Sequence, residues 1–300
     1  MQRRSFLCGS ATLTLSSFCS PIAKAIDPFP RSSPGKLKLS LAAYSMRKYL
    51  TAKEDAKQSM DLFGFVDFCS EQGLPGGELT SYYFPEKVTM QYLLKLKRHC
   101  HLRGVSVSGG AIRNDFCSLE RSRVETDIAH TKQWVDHYAL LGAPAIRIFA
   151  GKGNGQEKLG DTLKRCSQVC EEACGYAAKK GVMLALENHG GVTALADDLL
   201  TIVKAVDSPA FGVNFDSGNF RSSEDPYAEL AQIAPYAINA QIKTDVTLNG
   251  KKQEADLERI IRILKDSGYS GWVALEYEGK EEPLKAIPGY LQQLKELISP

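Results

Sequence analysis

The stretch Val182–Gly191, VMLALENHGG, decides the fold that the sequence predicts. An apolar run leads to Glu187, and Asn188, His189 and two glycines follow it. Apolar runs of this length, bounded by turn residues, are typical of strands that are buried on both faces. In a chain of alternating strands and helices, a carboxylate at the carboxyl end of such a strand is where a (β/α)₈ barrel places its chemistry.

Three later stretches repeat this pattern of an apolar run that ends in a polar side chain. GVNFDSGN at 212–219 delivers Asp216, INAQIKTD at 238–245 delivers Gln241, and GWVALEYEG at 271–279 delivers Glu276. One side chain with a metal-ligating oxygen therefore ends each of four successive predicted strands.

Strands alternate with helical patterns along the whole chain from residue 37 to residue 300. The predicted strands recur at intervals that leave room for one helix each, and they cover residues 37–45, 76–80, 105–109, 145–149, 182–187, 211–215, 238–242 and 272–275. Eight such units close into a barrel. The fold prediction is therefore α/β, a single (β/α)₈ TIM barrel over 37–300, and a doubly wound open sheet is disfavoured because no G-x-G-x-x-G follows the first strand.

Residues 1–25 have the layout of a signal peptide and are set aside from the fold. Arg3 and Arg4 precede a weakly apolar run, and Ala23-Lys24-Ala25 forms an A-x-A cleavage site. The arginine pair is typical of twin-arginine export, with a Sec signal or a short membrane anchor as alternatives. We expect the twin-arginine export machinery as a partner, a periplasmic or otherwise exported location, and a Pro- and Ser-rich tether over 26–36.

The charge balance excludes several kinds of partner. The chain has 37 basic and 35 acidic residues, and residues 1–25 hold three of the basic ones and no acid, which leaves 34 against 35. A near-neutral chain gives no electrostatic case for nucleic acid or an anionic membrane. We therefore expect a small-molecule carbohydrate partner, no nucleic acid, and no membrane span after processing. A homo-oligomer is compatible with the sequence.

Three cysteines lie at i, i+4 and i+8 on one face of a predicted helix. They are Cys166, Cys170 and Cys174, and their spacing matches neither a zinc nor an iron–sulfur motif. We interpret this face as a row of small buried apolar residues rather than a metal cluster.

The four strand-end side chains predict one divalent cation site. In a barrel, Glu187, Asp216, Gln241 and Glu276 point into one mouth, and three close carboxylates repel each other without a cation. An all-oxygen donor set suits Mn²⁺, Mg²⁺ or Co²⁺ better than a metal that prefers soft ligands. The alternative is four polar residues that are merely solvated at separate strand ends.

The motifs LENHGG, NFDSGN, Gln-Ile-Lys and ALEYEG resemble those of the xylose isomerase-like TIM-barrel superfamily, the sugar phosphate isomerases and epimerases. The resemblance covers most of 37–300. It implies that Glu187, Asp216, Gln241 and Glu276 bind one divalent metal, most readily Mn²⁺, with Mg²⁺, Co²⁺ or Zn²⁺ as alternatives. It also implies that Glu187 and Glu276 exchange the proton on the carbon next to a carbonyl.

The sequence departs from the epimerase pattern at three positions. Gln241 stands where a His is commoner, Asn219 where a substrate-binding His is expected, and Thr247 where the epimerases carry a substrate-binding Arg. The metal prediction survives these changes, whereas a specific ketose 3-epimerase assignment does not follow.

Further residues are candidates for chemistry around this mouth. His189 lies two residues past Glu187, on the same side if the strand continues, so it is a candidate catalytic residue or a partner that holds Glu187. Lys243 and Glu78 are candidates for substrate binding, as is Asn219. We expect Arg147, inside the fourth strand, to be a buried partner of the acids.

The residue types predict an isomerase or epimerase of a sugar or keto-polyol that abstracts an α-proton through a metal-bound enediolate. Two alternatives stay open: a lyase or dehydratase on a keto-sugar or keto-glycoside that uses the same site, and a non-catalytic sugar-binding barrel. An endonuclease-like site needs more histidine ligands, and the whole chain has five His.

Overall fold

The computed structural model describes residues 27–31, 35–52 and 59–299. The barrel strands are β1 Leu37–Ala42, β2 Gly76–Thr80, β3 Ser106–Ala111, β4 Ala145–Ile148, β5 Met183–Glu187, β6 Phe211–Asp216, β7 Ala237–Ile242 and β10 Gly271–Leu275. These eight parallel strands form a closed barrel in the order β1-β10-β7-β6-β5-β4-β3-β2, so the predicted single (β/α)₈ barrel is confirmed. The predicted signal peptide lies outside the described residues.

Helices follow the strands around the outside of the barrel. They are α1 Arg47–Leu50, α2 Leu62–Glu71, α3 Met90–Leu102, α4 Arg121–Leu141, α5 Leu159–Lys179, α6 Ala196–Ala205, α7 Pro226–Ile233, α8 Leu257–Asp266 and α9 Pro283–Ile298. Side chains cap several of them: Asp61 accepts a hydrogen bond from the Gly64 N–H at 2.9 Å, and Asp256 accepts one from Arg259 N–H at 2.9 Å. Gly142 ends α4 with a positive φ of 87°.

The first strand is shorter than predicted. It ends at Ala42, and a 3-10 turn over Ala43–Met46 and the short α1 follow it. The turn places Ser45 in the barrel mouth, where its hydroxyl donates to the Leu275 carbonyl at 3.1 Å and accepts from the Tyr277 N–H at 2.9 Å. The Ser45 side chain therefore adds two hydrogen bonds between the segments that follow β1 and β10, beyond the backbone hydrogen bonds of these strands.

A two-stranded hairpin follows the seventh barrel strand and was not predicted. It pairs β8, Asp245–Leu248, with β9, Lys251–Glu254, in antiparallel register. Asn249 at φ 52° and Gly250 at φ 70° form its turn, which is the Asn-Gly signal of a tight hairpin. The strand Lys251–Glu254 is exposed at every position, so it carries no apolar alternation that periodicity would detect.

The helical layer packs closely on the sheet at β3. Tyr138 belongs to α4 and is completely buried. A Cβ atom on Gly110 would lie 2.3 Å from Cζ of this tyrosine. The Tyr138 hydroxyl donates to the Leu79 carbonyl at 2.5 Å. The three cysteines of α5 are free and buried, as the interpretation of that face as packing predicts.

Residues at the amino-terminal end of the described chain contact the barrel. The Arg31 guanidinium donates to the Ala237 carbonyl and lies 5.3 Å from the Tyr269 ring centroid. Across 27–31, 35–52 and 59–299, no helix combines the length and apolar character that crossing a membrane requires.

Candidate active site at the carboxyl ends of the strands

A layer of hydrogen-bonded polar side chains fills the barrel just below its mouth. Gln241 donates through Nε2 to Glu78 Oε1 at 2.6 Å, and Asn239 donates through Nδ2 to Glu78 Oε2 at 2.8 Å. Asn214 donates through Nδ2 to Gln241 Oε1 at 2.6 Å. All four are nearly inaccessible to solvent, so this network fixes the rotamer of Gln241 from below.

Burial sets the protonation of Glu78. It raises the pKa of this carboxyl to about 7, even though the hydrogen bonds from Asn239 and Gln241 act in the opposite direction. Sequence reasoning placed Glu78 against substrate. The structure places its carboxyl within the polar layer, so contact with substrate stays a prediction.

One ammonium group lies among three carboxylates at the mouth. Lys243 Nζ is 2.8 Å from Glu276 Oε1 and 3.3 Å from Asp216 Oδ2, and it also pairs with Glu278. Lys243, Asp216 and Glu276 are all buried. The carboxylates raise the pKa of Lys243 although burial alone would lower it, so this group is a fixed cation.

Asp216 is the least satisfied of these acids. Its Oδ1 accepts from the Gly218 N–H at 2.9 Å, whereas its buried Oδ2 has an ion pair with Lys243 at 3.3 Å but no hydrogen bond. Burial, together with the charges of Glu187 and Glu276, raises the pKa of Asp216 to about 7, although Lys243 acts in the opposite direction. The Oδ2 atom of Asp216 is therefore buried with an ion pair but without a hydrogen-bond donor.

Glu187 is held from several sides. Its Oε2 lies 2.8 Å from Arg147 Nε, and its Oε1 lies 2.6 Å from His189 Nδ1 and accepts from Asn219 Nδ2 at 2.8 Å. Burial would raise the pKa of Glu187, but Arg147 and His189 outweigh burial and hold it at about 2. Arg147 is thus the buried partner of the acids that the sequence predicted.

His189 and Asn219 lie beside Glu187 on the solvent side of the mouth. The His189 side chain is 51% exposed, and its ring centroid lies 4.3 Å from that of Phe149. Asn219 Oδ1 accepts from Arg221 Nη2 at 3.0 Å. Arg221 and Thr247 line the same small cavity of about 270 Å³ next to Lys243, so an arginine does reach this region although none stands at position 247.

Three of the four predicted metal ligands lie at one mouth, and the fourth, Gln241, lies in the polar layer below it. Glu187 contacts Arg147, His189 and Asn219, whereas Asp216 and Glu276 share Lys243. The Oε1 of Gln241, its candidate ligand atom, accepts a hydrogen bond from Asn214. Within the described ranges, no group of three or more His, Cys, Asp and Glu side chains is arranged as a metal cluster.

The donor set nevertheless fits a hard divalent cation. Among the described residues, the Lys and Arg side chains that form ion pairs with Glu187, Asp216, Glu276 and Glu278 are Arg147 and Lys243. The buried Asp216 Oδ2 has no hydrogen bond, and every candidate ligand atom is an oxygen. Lys243 lies between two of the candidate ligands, so we expect its side chain to compete with a metal for the same oxygens.

Sequence reasoning missed several residues that shape this site. Asn214 lies two residues before Asp216, and Asn239 lies two residues before Gln241. A single amide side chain within an apolar strand could have indicated that each has a buried hydrogen-bond partner. Glu278 lies two residues after Glu276, on the same side of an extended segment. Tyr82, whose hydroxyl accepts from Arg147 Nη2 at 3.3 Å, has no comparable signal in the sequence.

Comparison with known proteins places this architecture in a family. The family model described as xylose isomerase-like TIM barrel matches residues 66–297, which is more than half of the chain. The protein therefore belongs to the xylose isomerase-like TIM-barrel family. A search of the curated proteins finds no significant match.

Solved structures share the fold at low sequence identity. The IolI protein with a bound zinc atom matches with a TM-score of 0.70 and 19% identity, over 87% of this chain and 96% of that one. The 3-keto-D-glucoside 4-epimerase YcjR from E. coli has a TM-score of 0.68 and 15% identity, over 87% and 100%. The probable 3-DHS dehydratase AsbF from Bacillus anthracis has a TM-score of 0.68 and 18% identity, over 86% and 98%. At these identities the likeness establishes the fold.

Proposed function

We propose that this protein is a divalent-metal-dependent isomerase or epimerase of a keto-sugar or keto-polyol. The observation that carries the proposal is the convergence of Glu187, Asp216 and Glu276 from three strand ends, with an unsatisfied buried oxygen on Asp216. Neighbours in fold that are named as sugar epimerases agree with this reaction class.

In the proposed reaction, Glu187, Asp216, Gln241 and Glu276 hold the metal. Mn²⁺ is the expected ion, and Mg²⁺, Co²⁺ or Zn²⁺ would also fit carboxylate and amide oxygens. When bound, the cation would acidify the proton on the carbon next to the substrate carbonyl.

The residues of the chain itself would move the proton. A carboxylate oxygen of Glu187 or Glu276 would take this proton, and the other glutamate, which starts in its protonated form, would give a proton to the opposite face of the same carbon. Two strands separate β5 from β10 in the barrel, so the two glutamates approach from different directions. Arg147 fixes the plane of the Glu187 carboxylate through its contact at 2.8 Å. The proposal assigns the binding of substrate hydroxyls to His189, which is half-exposed beside Glu187, and to Lys243 and Asn219.

Solvent deuterium exchange tests this proposal. Mn²⁺-loaded protein is incubated in D₂O with a panel of keto-sugars, and incorporation next to the carbonyl is followed by NMR. We expect exchange that needs the metal and falls at least about 100-fold in Glu187→Gln and in Glu276→Gln, the size of a typical general acid–base contribution. Glu172→Gln, which alters an exposed glutamate on α5, is the matched control.

Other outcomes would replace the proposal. A product with a new double bond would indicate a lyase, and bound sugar without exchange would indicate a sugar-binding barrel. Exchange that persists in both glutamate variants would contradict the assigned roles of Glu187 and Glu276.

We also propose export by the twin-arginine route, on the sequence of residues 1–25. Replacing both Arg3 and Arg4 by Lys is expected to retain the protein in the cytoplasm, as measured by cell fractionation. Unchanged export of this variant would favour a Sec signal.

A further inference from the structure

A large groove lies beyond the ends of β1, β2 and β3, between the segments that follow these strands and helix α4. Its volume is about 960 Å³, and the predicted catalytic and metal-binding side chains do not line it. This volume is at the upper end of the roughly 300–1,000 Å³ that small-molecule pockets occupy. The groove therefore has room for a unit beyond the sugar that reacts at Glu187 and Glu276.

The wall of the groove is aromatic. Tyr44, Tyr82, Tyr83 and Trp134 line it, and the three tyrosines are half-buried. The Tyr82 and Tyr83 ring centroids are 6.2 Å apart. Aromatic faces bind the flat apolar face of a sugar or an aromatic ring, with a large contact area and little loss of side-chain entropy.

Two arginines in the groove are stacked on these rings without an acidic partner. The Arg47 guanidinium lies 5.0 Å from the Tyr44 ring centroid, and that of Arg113 lies 4.9 Å from the Tyr82 centroid. Two aspartates also line the groove, but neither pairs with these guanidiniums: Asp115 lies 4.0 Å from Arg123, and Asp127 accepts a hydrogen bond from the Asp115 N–H at 2.9 Å. Arg47 is positioned by its Nη1, which donates to the Tyr277 carbonyl at 3.2 Å and the Tyr44 carbonyl at 3.4 Å.

Tyr82 and Arg47 connect the groove to the catalytic mouth. The Tyr82 hydroxyl contacts Arg147, which in turn contacts Glu187. Arg47 donates to the carbonyl of Tyr277, the residue after Glu276. A ligand that spans both regions would thus place one unit at the carboxylates and a second unit in the groove that Arg47 and Arg113 line.

We propose that the groove binds the second unit of a glycoside, and that this unit carries a carboxylate. The inference rests on the proposed function, because it names the substrate class for the same mouth. The flat unit stacks on the tyrosines, and its carboxylate accepts charge-assisted hydrogen bonds from Arg113 and Arg47. A free monosaccharide would leave both arginines unused.

Calorimetric titration of the full-length protein with matched glycosides tests the groove without requiring turnover. The pair is 4-carboxyphenyl β-D-glucopyranoside and its amide, 4-carbamoylphenyl β-D-glucopyranoside, which differ only in the charge of the distal group. We expect the carboxylate to bind roughly tenfold more tightly, the effect of one charge-assisted hydrogen bond. Methyl β-D-glucopyranoside, which lacks the second ring, should bind more weakly than either.

Variants assign this preference to the arginines. Arg113→Gln, at an exposed position, and Arg47→Gln should each bring the carboxylate glycoside to the affinity of its amide. Arg98→Gln, on the exposed face of α3 and outside the groove, is the charge-matched control and should change nothing. Three results would overturn the inference. The first is equal affinity for the acid and the amide, and the second is equal effects of Arg98→Gln and Arg113→Gln. The third is no binding of any of these glycosides.

The two proposals fail separately in these experiments. Deuterium exchange into simple keto-sugars depends on the metal and the glutamates, whereas the difference between acid and amide glycosides depends on the groove. A protein that exchanges deuterium but does not distinguish the glycosides would keep the reaction and lose the substrate class.

Discussion

The Lys243 ammonium group forms ion pairs with three carboxylates at the carboxyl end of the barrel. Its Nζ contacts Asp216, Glu276 and Glu278, all from strands or segments on one side of the mouth. A divalent cation held by Asp216 and Glu276 would need some of the same oxygens. The affinity of the site for metal therefore depends on how readily Lys243 moves away.

Replacing this lysine is expected to change metal binding and stability in opposite directions. Lys243→Met removes the competing ammonium, so Mn²⁺ should bind at least about tenfold more tightly, or roughly 1.4 kcal/mol. Without metal, the variant should lose about 3–5 kcal/mol of unfolding free energy, because two buried carboxylates lose their counter-ion. Calorimetric Mn²⁺ titration and denaturant unfolding in chelator measure the two effects.

Lys252→Met is the matched control for this prediction. Lys252 pairs with Asp245 at 2.9 Å, but its side chain is 61% exposed. Exposed ion pairs contribute at most about 1 kcal/mol, so this variant should bind Mn²⁺ like the parent. If Lys243→Met bound Mn²⁺ no more tightly than the parent, Lys243 would not compete with the metal.

The predictability of the site differs from residue to residue. Glu187, Asp216, Gln241 and Glu276 could be predicted as metal ligands because each lies at the end of an apolar strand. Their role as metal ligands stays a prediction. Asn214 and Asn239 were not predicted as site residues, because the role of a buried amide in a strand depends on its hydrogen-bond partners on other strands, which the sequence does not identify. Tyr82 follows β2 in a 3-10 turn, and no periodicity marks its contact with Arg147.

At the level of elements, the contact between β3 and α4 depends on a glycine. Gly110→Ala would place a methyl group 2.3 Å from Cζ of Tyr138, a buried ring that also donates to the Leu79 carbonyl. We expect a loss of about 3 kcal/mol in unfolding free energy, since neither the strand nor the ring can shift without breaking other contacts. Guanidinium chloride unfolding measures the change.

Gly175→Ala provides the opposite control for this experiment. Gly175 lies in the exposed face of α5, and a Cβ there would meet nothing within 4 Å. Alanine should stabilise this helix by up to about 1 kcal/mol. Equal stability of Gly110→Ala and the parent would show that α4 packs less closely on β3 than the structure indicates.

The strands with an apolar sequence pattern could be predicted, whereas the strands of the polar hairpin could not. The barrel strands were located by their apolar runs and turn residues, usually within one or two residues of their observed ends. The hairpin Asp245–Glu254 escaped because its second strand, KKQE, is entirely polar and exposed. The first strand was predicted too long because Ala43 and Met46 stay buried in the 3-10 turn that follows β1.

On the scale of the whole molecule, closure of the barrel brings the carboxyl ends of distant strands close to one another. Pairing of β1 with both β10 and β2 completes the ring. Closure brings Glu187, Asp216 and Glu276 to one mouth, and the tyrosines that follow β1 and β2 line the groove. The same closure therefore forms both the mouth and the groove in which we propose that a larger substrate binds.

Anomalous diffraction from crystals grown with Mn²⁺ tests the central claim most directly. We predict one strong peak within about 2.0–2.4 Å of oxygens from Glu187, Asp216, Gln241 and Glu276, with Lys243 Nζ withdrawn toward Glu278. A mouth without such a peak, in which Lys243 Nζ still lies between Asp216 and Glu276, would contradict the metal site and the reaction proposed for it.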